Sequence, residues 1–277
     1  MSARDLARAI QPLLEVAGIP DARIEAELLV RYTGELSRSH YFAGGDFPES
    51  HRPKLFAAIE RRVAREPLAY ITGRRAFMGL EFQVTPAVLI PRPETEMLVE
   101  EAVRRSPAGA LVCDVGTGSG CIAVSIAQLR PDVSVLATDI SEDALAVARG
   151  NAERHGAGAG VAFVRSSLLS VIRCPVDREL VVVANLPYIA TNDIALLEPE
   201  VRNAEPRIAL DGGPGGLDLL GELIHDCAER LRPRLLLLEV AAGQAQQVAE
   251  LLTKSRAEVE IKPDLAGIDR VVVAEWR

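Results

Sequence analysis

The chain has 277 residues, of which 48% are hydrophobic and 25% are charged, and its formal net charge is −8 at pH 7. This balance is typical of a folded globular protein, and the length predicts two domains of unequal size. The negative charge argues against nonspecific binding to a phosphate backbone, because a nucleic-acid partner would need a local basic patch.

The N-terminus lacks the long apolar segment of a signal peptide, and no later run reaches the length of a membrane span. We therefore expect a cytoplasmic protein with no membrane partner. The four cysteines form no Cys-x-x-Cys pair and have no histidine at metal-ligand spacing, so we expect buried free thiols and no metal site. They are Cys113, Cys121, Cys174 and Cys227.

Roughly the first seventy residues are predicted to form a small helical bundle. Apolar residues recur at helical spacing in one segment near the N-terminus, in a second that begins at Pro20-Asp21, and in a third from about Arg52 to Arg65. The stripes are Leu6, Ile10, Leu13 and Leu14; Ile24, Leu28 and Leu29; and Leu55, Ile59 and Val63. Nearby arginines are interpreted as a solvated helix face rather than a nucleic-acid footprint, namely Arg61, Arg62, Arg65, Arg74 and Arg75.

The pattern changes at Pro67. The segment from Ala69 to Leu89 is rich in Gly, Thr and aromatic residues, which predicts a hairpin or extended connector rather than another helix. Two prolines then stop regular structure in Ile90-Pro91-Arg92-Pro93, and Glu94 and Glu96 are expected in the first turn of a new helix. We place the domain boundary near residues 85 to 92.

Short apolar runs typical of buried strands follow, and the segments between the first few are long enough for crossover helices. This pattern predicts an α/β fold with a doubly wound, largely parallel sheet. The runs are Leu111 to Val115, Val133 to Thr138, Val161 to Val164, Leu180 to Ala184, Leu235 to Val240 and Val271 to Ala274.

A glycine-rich loop follows the first of these strands and opens into a helix from Cys121 to Leu129. It reads Asp114, Val115, Gly116, Thr117, Gly118, Ser119, Gly120. Glycines at alternate positions let the backbone turn sharply and approach a ligand closely. A second strand ends at Thr138-Asp139, where a carboxylate can meet the ribose hydroxyls of an adenosine-containing cofactor.

The spacing Gly-x-Gly-x-Gly differs from the Gly-x-Gly-x-x-Gly of dinucleotide sites, and Asp114 would repel a phosphate. The same carboxylate suits a cationic ligand. S-adenosylmethionine carries an ammonium and a sulfonium but no phosphate, and we therefore expect it as the cofactor.

The fourth strand runs into Asn185, Leu186, Pro187 and Tyr188 at the sheet edge where ligands bind. The Asn185 oxygen and a backbone carbonyl would accept the hydrogens of an NH₂ group, Pro187 would limit the backbone, and Tyr188 would stack on a planar amide. Farther along, Asp211 to Gly216 is interpreted as a mobile turn before a helix, because it lacks the Lys-Ser/Thr of a phosphate loop. Glu239 either lines the cleft or caps its strand in solvent.

These motifs together resemble the HemK-type family, the peptide chain release factor glutamine methyltransferases, over nearly the whole chain. The resemblance is carried by Arg65 to Gly73, Leu89 to Glu96, the glycine loop, and Asp264 to Arg270. It implies a helical substrate-docking domain (1–68), a hairpin linker (69–90), and a Rossmann-like class I methyltransferase domain with a seven-stranded, mostly parallel sheet (91–277).

The resemblance implies methyl transfer from S-adenosylmethionine to the glutamine of the Gly-Gly-Gln motif in class I release factors, which tunes translation termination. It implies a monomer that does not bind nucleic acid directly. Residues 185–188 would hold the glutamine. The cofactor would be held by Asp114, Gly116, Thr117, Gly118, Ser119, Gly120, Asp139, Ile140, Ser167, Leu168 and Asn185.

Two positions depart from the family pattern. Leu186 replaces the first proline of Asn-Pro-Pro-Tyr, and Ser167 replaces an acidic residue, which bears on adenine recognition. Two alternatives stay open. The Asn-Leu-Pro-Tyr spelling also resembles ribosomal RNA adenine dimethyltransferases, although the acidic charge and the connector segments argue against them. A non-catalytic protein that docks release factors or ribosomes is the other.

Overall fold

The computed structural model describes residues 1–173, 175 and 177–276 and divides the chain into two compact units. The first unit is Met1–Arg74 together with Glu198–Ala204, and the second is Arg75–Leu197 with Glu205–Arg277. Within the described part of the chain, no helix is both long and apolar enough to cross a bilayer.

The first unit is helical. Its helices are α1 (Ala3–Val16), α2 (Ala22–Thr33), α3 (Arg38–Phe42), α4 (Arg52–Val63), α5 (Leu68–Thr72) and α9 (Pro199–Ala204). Helix α1 begins after Ser2, whose hydroxyl accepts a hydrogen bond from the backbone N–H of Asp5. The predicted bundle is therefore present, and α5 shows that the segment after Pro67 begins with a helical turn rather than a hairpin.

The apolar core of the first unit differs in part from the predicted stripes. Four residues expected to be buried are instead exposed, namely Leu13 (53%), Ile24 (51%), Leu28 (37%) and Val63 (41%). Small residues take the buried positions on α1 and α2, as Ala7 and Ala26 show. Helical spacing identifies a face, but it does not tell which of two adjacent faces meets a neighbouring helix.

The arginine cluster at the end of α4 was predicted to be a solvated face, and this prediction is wrong for Arg62, which is 3% exposed. Arg62 follows Leu55 and Ile59 on the buried stripe, so its guanidinium points inward. Its Nε donates to Glu25 at 2.5 Å, and its Nη1 donates to Glu200 at 3.0 Å. These pairs fix Glu200 against α2 and α4.

The second unit contains a seven-stranded sheet in the order β5-β4-β3-β6-β7-β9-β8 and a separate hairpin, β1-β2. The strands are β1 (Arg74–Phe77), β2 (Leu80–Gln83), β3 (Leu111–Val115), β4 (Ser134–Asp139), β5 (Val161–Arg165), β6 (Leu180–Ala184), β7 (Leu235–Glu239), β8 (Glu258–Pro263) and β9 (Asp269–Glu275). Pairings β5-β4, β4-β3, β3-β6 and β6-β7 are parallel, and those of β9 are antiparallel. The predicted α/β fold class is confirmed.

Alternate residues of the central strands enter two apolar layers, one on each face of the sheet. On β6, Val181 and Val183 enter one layer, and Val182 and Ala184 enter the other. The helices of this unit are α6 (Thr95–Arg105), α7 (Cys121–Leu129), α8 (Glu142–Arg154), α10 (Asp218–Asp226) and α11 (Ala245–Lys254). As predicted, Cys113, Cys121 and Cys227 are buried and free, whereas Cys174 lies outside the described residues.

The hairpin belongs to the second unit and packs against its core. Phe77 and Phe82 are almost fully buried in one of the two apolar layers. Asn151 of α8 joins the hairpin to the glycine loop, because its Oδ1 accepts from Gln83 N at 2.7 Å and its Nδ2 donates to Ser119 O at 2.9 Å. The hairpin is therefore a support of the loop, beyond its role as a connection along the chain.

We expect Arg62→Met to destabilise the first unit by about 3 kcal/mol, because it leaves Glu25 without its arginine and leaves Glu200 paired with Arg65 alone. The adjacent Arg61→Met is the matched control, since the Arg61 side chain is 46% exposed and should contribute less than about 1 kcal/mol. Amide hydrogen exchange of α2 and α4 in the full chain measures both changes. Equal effects of the two substitutions would contradict the assignment.

Candidate functional site

Four neighbouring parallel strands, β4, β3, β6 and β7, end at the same edge of the sheet. Val115 at the end of β3 is paired with Thr138 on one side and with Ala184 on the other. The glycine loop, Asp139 and the Asn-Leu-Pro-Tyr tetrapeptide therefore begin at one level. Ligands of open α/β sheets bind at this edge.

The glycine loop has the conformation that its sequence predicts. The φ angles of Gly116, Gly118 and Gly120 are +72°, +55° and +79°, a region that other residues rarely adopt. A Cβ atom on Gly120 would also lie 3.0 Å from the Cβ of Ala148 in α8. The loop therefore requires glycine both for its backbone angles and for its packing against α8.

Three N–H groups of the loop already have acceptors within the protein. The N–H groups of Gly116 and Thr117 donate to the carbonyl of Thr138, at 2.9 and 2.8 Å. The N–H of Gly118 donates to Asp139 Oδ2 at 2.9 Å. Because a phosphate site uses such groups as donors to the ligand, this arrangement argues against a pyrophosphate.

Asp114 lies beneath the loop and is fully buried. Its Oδ2 accepts from the Thr117 hydroxyl at 2.6 Å and from the Ala123 N–H at 3.1 Å. No partner of its Oδ1 is present among the described residues. Burial and, to a smaller extent, Asp139 raise the pKa of Asp114 to about 7, against the lowering effect of the two hydrogen bonds. A cation bound above the loop would favour the ionised form.

A cavity opens in front of the loop, and most of the predicted site residues line it. These are Gly116, Thr117, Gly118, Ser119, Asp139, Ile140, Ser167, Leu168, Asn185, Leu186 and Pro187. The predicted residues Asp114, Gly120 and Tyr188 are not among the described residues that line the cavity. Four further residues also contribute to the lining and were not predicted from the sequence, namely Thr95, Ser166, Pro206 and Ile208.

The part of the cavity next to β4 offers polar groups on one side and apolar groups on the other. Asp139 Oδ1 accepts from the Ser141 N–H at 2.9 Å, and each carboxylate oxygen keeps a lone pair for a hydroxyl ligand. Leu168 lines the cavity on the apolar side and is buried. Its φ of +45° is a strained backbone conformation for a leucine.

The tetrapeptide places one amide side chain at the cavity. Asn185 Nδ2 donates to Thr95 Oγ1 at 3.0 Å, so Oδ1 is the acceptor that this side chain offers to a ligand. Leu186 is buried, and its Cδ2 lies 3.0 Å from the position of a Cβ on Gly116. The leucine that departs from the family pattern therefore packs on the glycine loop.

Tyr188 is half-buried and is not among the described residues that line the cavity. Burial, and secondarily Glu239, raise the pKa of its phenol to about 12, so the hydroxyl is a donor at neutral pH. Its backbone carbonyl accepts from Gln244 Nε2 at 2.8 Å. Tyr188 therefore contributes a hydrogen bond behind the cavity, whereas the sequence predicted a stacking face.

The turn from Asp211 to Gly216 supports the tetrapeptide. The N–H of Gly212 donates to the carbonyl of Ile189 at 2.9 Å. A Cβ on Gly212 would lie 2.6 Å from the carbonyl oxygen of Pro187, so no other residue fits there. The turn does precede a helix, α10, as predicted, and the run of glycines is the signal that could have indicated this close approach.

Glu239 at the end of β7 is 2% exposed, which excludes the alternative that it caps the strand in solvent. The hydroxyl groups of Thr95 and Tyr188 lie beside its carboxyl group, where each acts to lower its pKa. Glu239 is also absent from the described residues that line the cavity, so neither of its two predicted positions is found. Thr95 was missed as a site residue, since a single threonine after Pro-Glu carries little signal in the sequence.

Comparison with known proteins gives consistent matches in both units. Residues 5–73 match the family described as PrmC N-terminal domain, and residues 107–177 match a methyltransferase domain family. Among solved structures, the chain is similar to a ribosomal protein L11 methylase from Lactobacillus delbrueckii subsp. bulgaricus, with 21% identity, a TM-score of 0.50, and coverage of 70% of this chain and 84% of that chain. It is also similar to a methyltransferase from Pyrococcus furiosus, with 16% identity, a TM-score of 0.54, and coverage of 82% and 98%. These similarities confirm the Rossmann-like methyltransferase fold.

Curated relatives match over almost the whole chain. A release factor glutamine methyltransferase of Geobacter sulfurreducens is 42% identical over 261 residues, covering 92% of this chain and 90% of the relative. Proteins of the same name from Gloeobacter violaceus and Moorella thermoacetica are 44% and 41% identical, covering 90% and 95% of this chain and 89% and 95% of the relatives. The chain is therefore a methyltransferase, and it belongs to the family of release factor glutamine methyltransferases.

Proposed function

We propose that this chain transfers a methyl group from S-adenosylmethionine to the side-chain amide nitrogen of the glutamine in the Gly-Gly-Gln motif of class I peptide chain release factors. The observation that carries the proposal is the position of Asn185, whose Nδ2 is engaged by Thr95 while its side chain lines the same cavity as the glycine loop. The names of the relatives support the substrate. Because release factors act on ribosomes, we expect the protein in the cytoplasm.

The residues at the glycine loop fit a cationic donor without a phosphate. The buried Asp114 has an oxygen without a partner among the described residues, and the N–H groups of Gly116, Thr117 and Gly118 donate to Thr138 and Asp139. We propose that Asp139 binds the ribose hydroxyls, that Ile140, Ser167 and Leu168 surround the adenine, and that Asp114 acts on the donor's positive charge from beneath the loop. A serine at 167 binds the exocyclic amine as a neutral acceptor.

The tetrapeptide would orient the acceptor. The nitrogen of an amide is a poor nucleophile because its lone pair is delocalised into the carbonyl. Asn185 Oδ1 and a backbone carbonyl of the tetrapeptide would accept its two N–H hydrogens and so aim the nitrogen at the donor. When bound, S-adenosylmethionine supplies an electrophilic methyl carbon, so the N–C bond forms as the S–C bond breaks and the nitrogen loses one proton.

We propose that residues 1–68 form the substrate-docking domain, residues 69–90 the hairpin linker and residues 91–277 the catalytic domain. The exposed apolar side chains of the first unit support the docking role. Leu13 and Val16 lie three residues apart on α1, and Ile24 and Leu28 lie one turn apart on α2, so each pair presents an apolar surface to solvent. Such side chains suit a protein partner better than a charged nucleic acid.

The direct test is mass spectrometry of a purified release factor after incubation with this protein and isotopically labelled S-adenosylmethionine. We expect one labelled methyl group on the glutamine of the Gly-Gly-Gln peptide. Ribosomal RNA is incubated in parallel. Label in the RNA but not in the factor would favour the adenine methyltransferase alternative, and binding of the factor without any product would favour the non-catalytic one.

We expect Asn185→Ala to lower kcat at least about 100-fold, because it removes an acceptor that acts on the nucleophile. Donor affinity should change less than about threefold, since the side chain is directed at the acceptor amide. Single-turnover transfer and calorimetric donor titration measure the two quantities. Asn192→Ala is the matched control, because Asn192 is exposed. Full transfer by Asn185→Ala would disprove the proposed role.

We expect Asp114→Asn to stabilise the protein without its donor at pH 8. Between the unfolded pKa near 3.8 and the folded pKa of about 7, the folded chain holds a proton that the unfolded chain releases. The stability from this group is therefore present at low pH and is lost as the pH rises through about 7. An asparagine does not titrate, so the variant avoids this decrease in the free energy of unfolding. The decrease amounts to roughly 2 to 4 kcal/mol, because each pKa unit corresponds to about 1.4 kcal/mol.

The same Asp114→Asn variant should bind S-adenosylmethionine about tenfold more weakly, because the donor's positive charge loses its buried counter-charge. Thermal melts at pH 5 and pH 8 and calorimetric titration measure the two opposite effects. Asp143→Asn, at an exposed position on α8, is the control and should change neither quantity appreciably. Unchanged donor affinity in Asp114→Asn would exclude the electrostatic role of this residue.

A further inference from the structure

Glu239 is buried directly beside the strand that carries the tetrapeptide. Strand β7 pairs in parallel with β6, and Leu238 is aligned with Ala184, so Glu239 lies at the level of Asn185. It is 2% exposed and is not among the described residues that line the cavity. A buried carboxyl group is costly unless it is hydrogen-bonded, so its partners indicate why it is there.

The hydroxyl groups of Thr95 and Tyr188 lie beside this carboxyl group, and both act to lower its pKa. The Thr95 hydroxyl already accepts a hydrogen bond from Asn185 Nδ2 at 3.0 Å. A hydroxyl has a single hydrogen, and since the Thr95 oxygen accepts from Asn185, that hydrogen is available to the neighbouring Glu239 carboxylate. We therefore infer one direction of donation, from Asn185 to Thr95 and from Thr95 to Glu239.

We propose that Glu239 is a positioning residue for methyl transfer, which holds the Asn185 amide through Thr95 with Oδ1 directed at the acceptor nitrogen. The proposal rests on the function proposed above, in which Oδ1 accepts an N–H hydrogen of the substrate amide. Without a carboxylate behind it, the Thr95 hydroxyl can donate to Asn185 Oδ1 instead. The amide then turns over and presents its own N–H groups to the substrate NH₂, and two donors cannot pair.

The direction of this chain depends on the ionisation of Glu239. Burial and the nearby Glu94 raise the pKa of its carboxyl group to about 7, and Arg270 and the hydrogen bonds from Thr95 and Tyr188 act against the increase. An ionised carboxylate only accepts, whereas a protonated one can donate to Thr95 and reverse the chain. At saturating donor, methyl transfer should therefore increase as the pH rises through about 7.

The activity test compares Glu239→Gln with the wild type at saturating donor and release factor. We expect kcat to fall about 10-fold to 100-fold, which is the range seen when a residue that orients an active-site side chain is replaced. Donor affinity should stay within about threefold of the wild type. The increase of kcat with pH near 7 should be absent from the variant, because a glutamine does not titrate. Glu250→Gln, at an exposed position on α11, is the control and should behave as the wild type does.

A second pair of substitutions separates orientation from folding. Thr95→Val removes the hydroxyl but keeps the shape of the side chain, so it should lower kcat as much as Glu239→Gln does. Thr95→Ser restores the hydroxyl and should recover most of the lost kcat. A loss of similar size in both Thr95 variants would point to packing of α6 and would overturn the proposal.

A measurement on Asn185 itself does not depend on the substrate. The chain has four asparagines, so side-chain NH₂ signals of protein labelled with ¹⁵N-asparagine can be resolved, and Asn185→Ala identifies the relevant one. We expect this signal to shift as the pH passes about 7 in the wild type and to stay constant in Glu239→Gln. A signal unaffected by Glu239→Gln overturns the proposal even if activity falls. If the wild type methylates no Gly-Gly-Gln factor, the proposed function fails, whereas this signal still decides the role of Glu239.

Discussion

Parallel pairing of β3 with β4 and β6 is the constraint on which the site depends. Because side chains alternate along a strand, Asp114 and Val115 on β3 face opposite sides of the sheet. A shift of one residue in this pairing would turn the Asp114 side chain away from the loop. It would also end the alignment of the tetrapeptide with Gly116 along the sheet edge. Apolar layers on both faces hold this register, since a slip would not place Val112 and Cys113 in their present layers.

The central strands were predictable because they are buried on both faces. Runs such as Leu180–Ala184 have few alternatives to a buried strand, and the bounds of β3 and β6 agree with the prediction. Strand β8 was missed, because Glu258–Pro263 alternates charged and apolar residues at the edge of the sheet. In the first unit, the burial of Arg62 could not be predicted from its residue type. Its partners Glu25 and Glu200 come from distant parts of the chain, and only the fold brings them to it.

The same difference applies to the site. The glycine loop and residues 185–188 are contiguous motifs, so the sequence contains both the residues and their order. Thr95, Gly212, Glu239 and Gln244 come from four separate segments, and none of them lies in either motif. Only the fold brings them behind the tetrapeptide. Thr95 forms a hydrogen bond with the Asn185 side chain, and Gln244 with the Tyr188 carbonyl. In the proposed function, the orientation of the acceptor therefore depends on residues outside the two motifs.

Asp114 on β3 and Glu239 on β7 are two buried carboxyl groups near the same edge of the sheet. The pKa of each is raised to about 7. Each has an oxygen without a partner among the described residues. Their surroundings differ, because the donors to Asp114 are Thr117 of the loop and Ala123 of α7, whereas the hydroxyl groups beside Glu239 belong to Thr95 and Tyr188. In the proposed reaction, ionisation of Asp114 would therefore bear on the donor, and ionisation of Glu239 would bear on the acceptor. The same edge of the sheet would then place one buried acid near each of the two ligands.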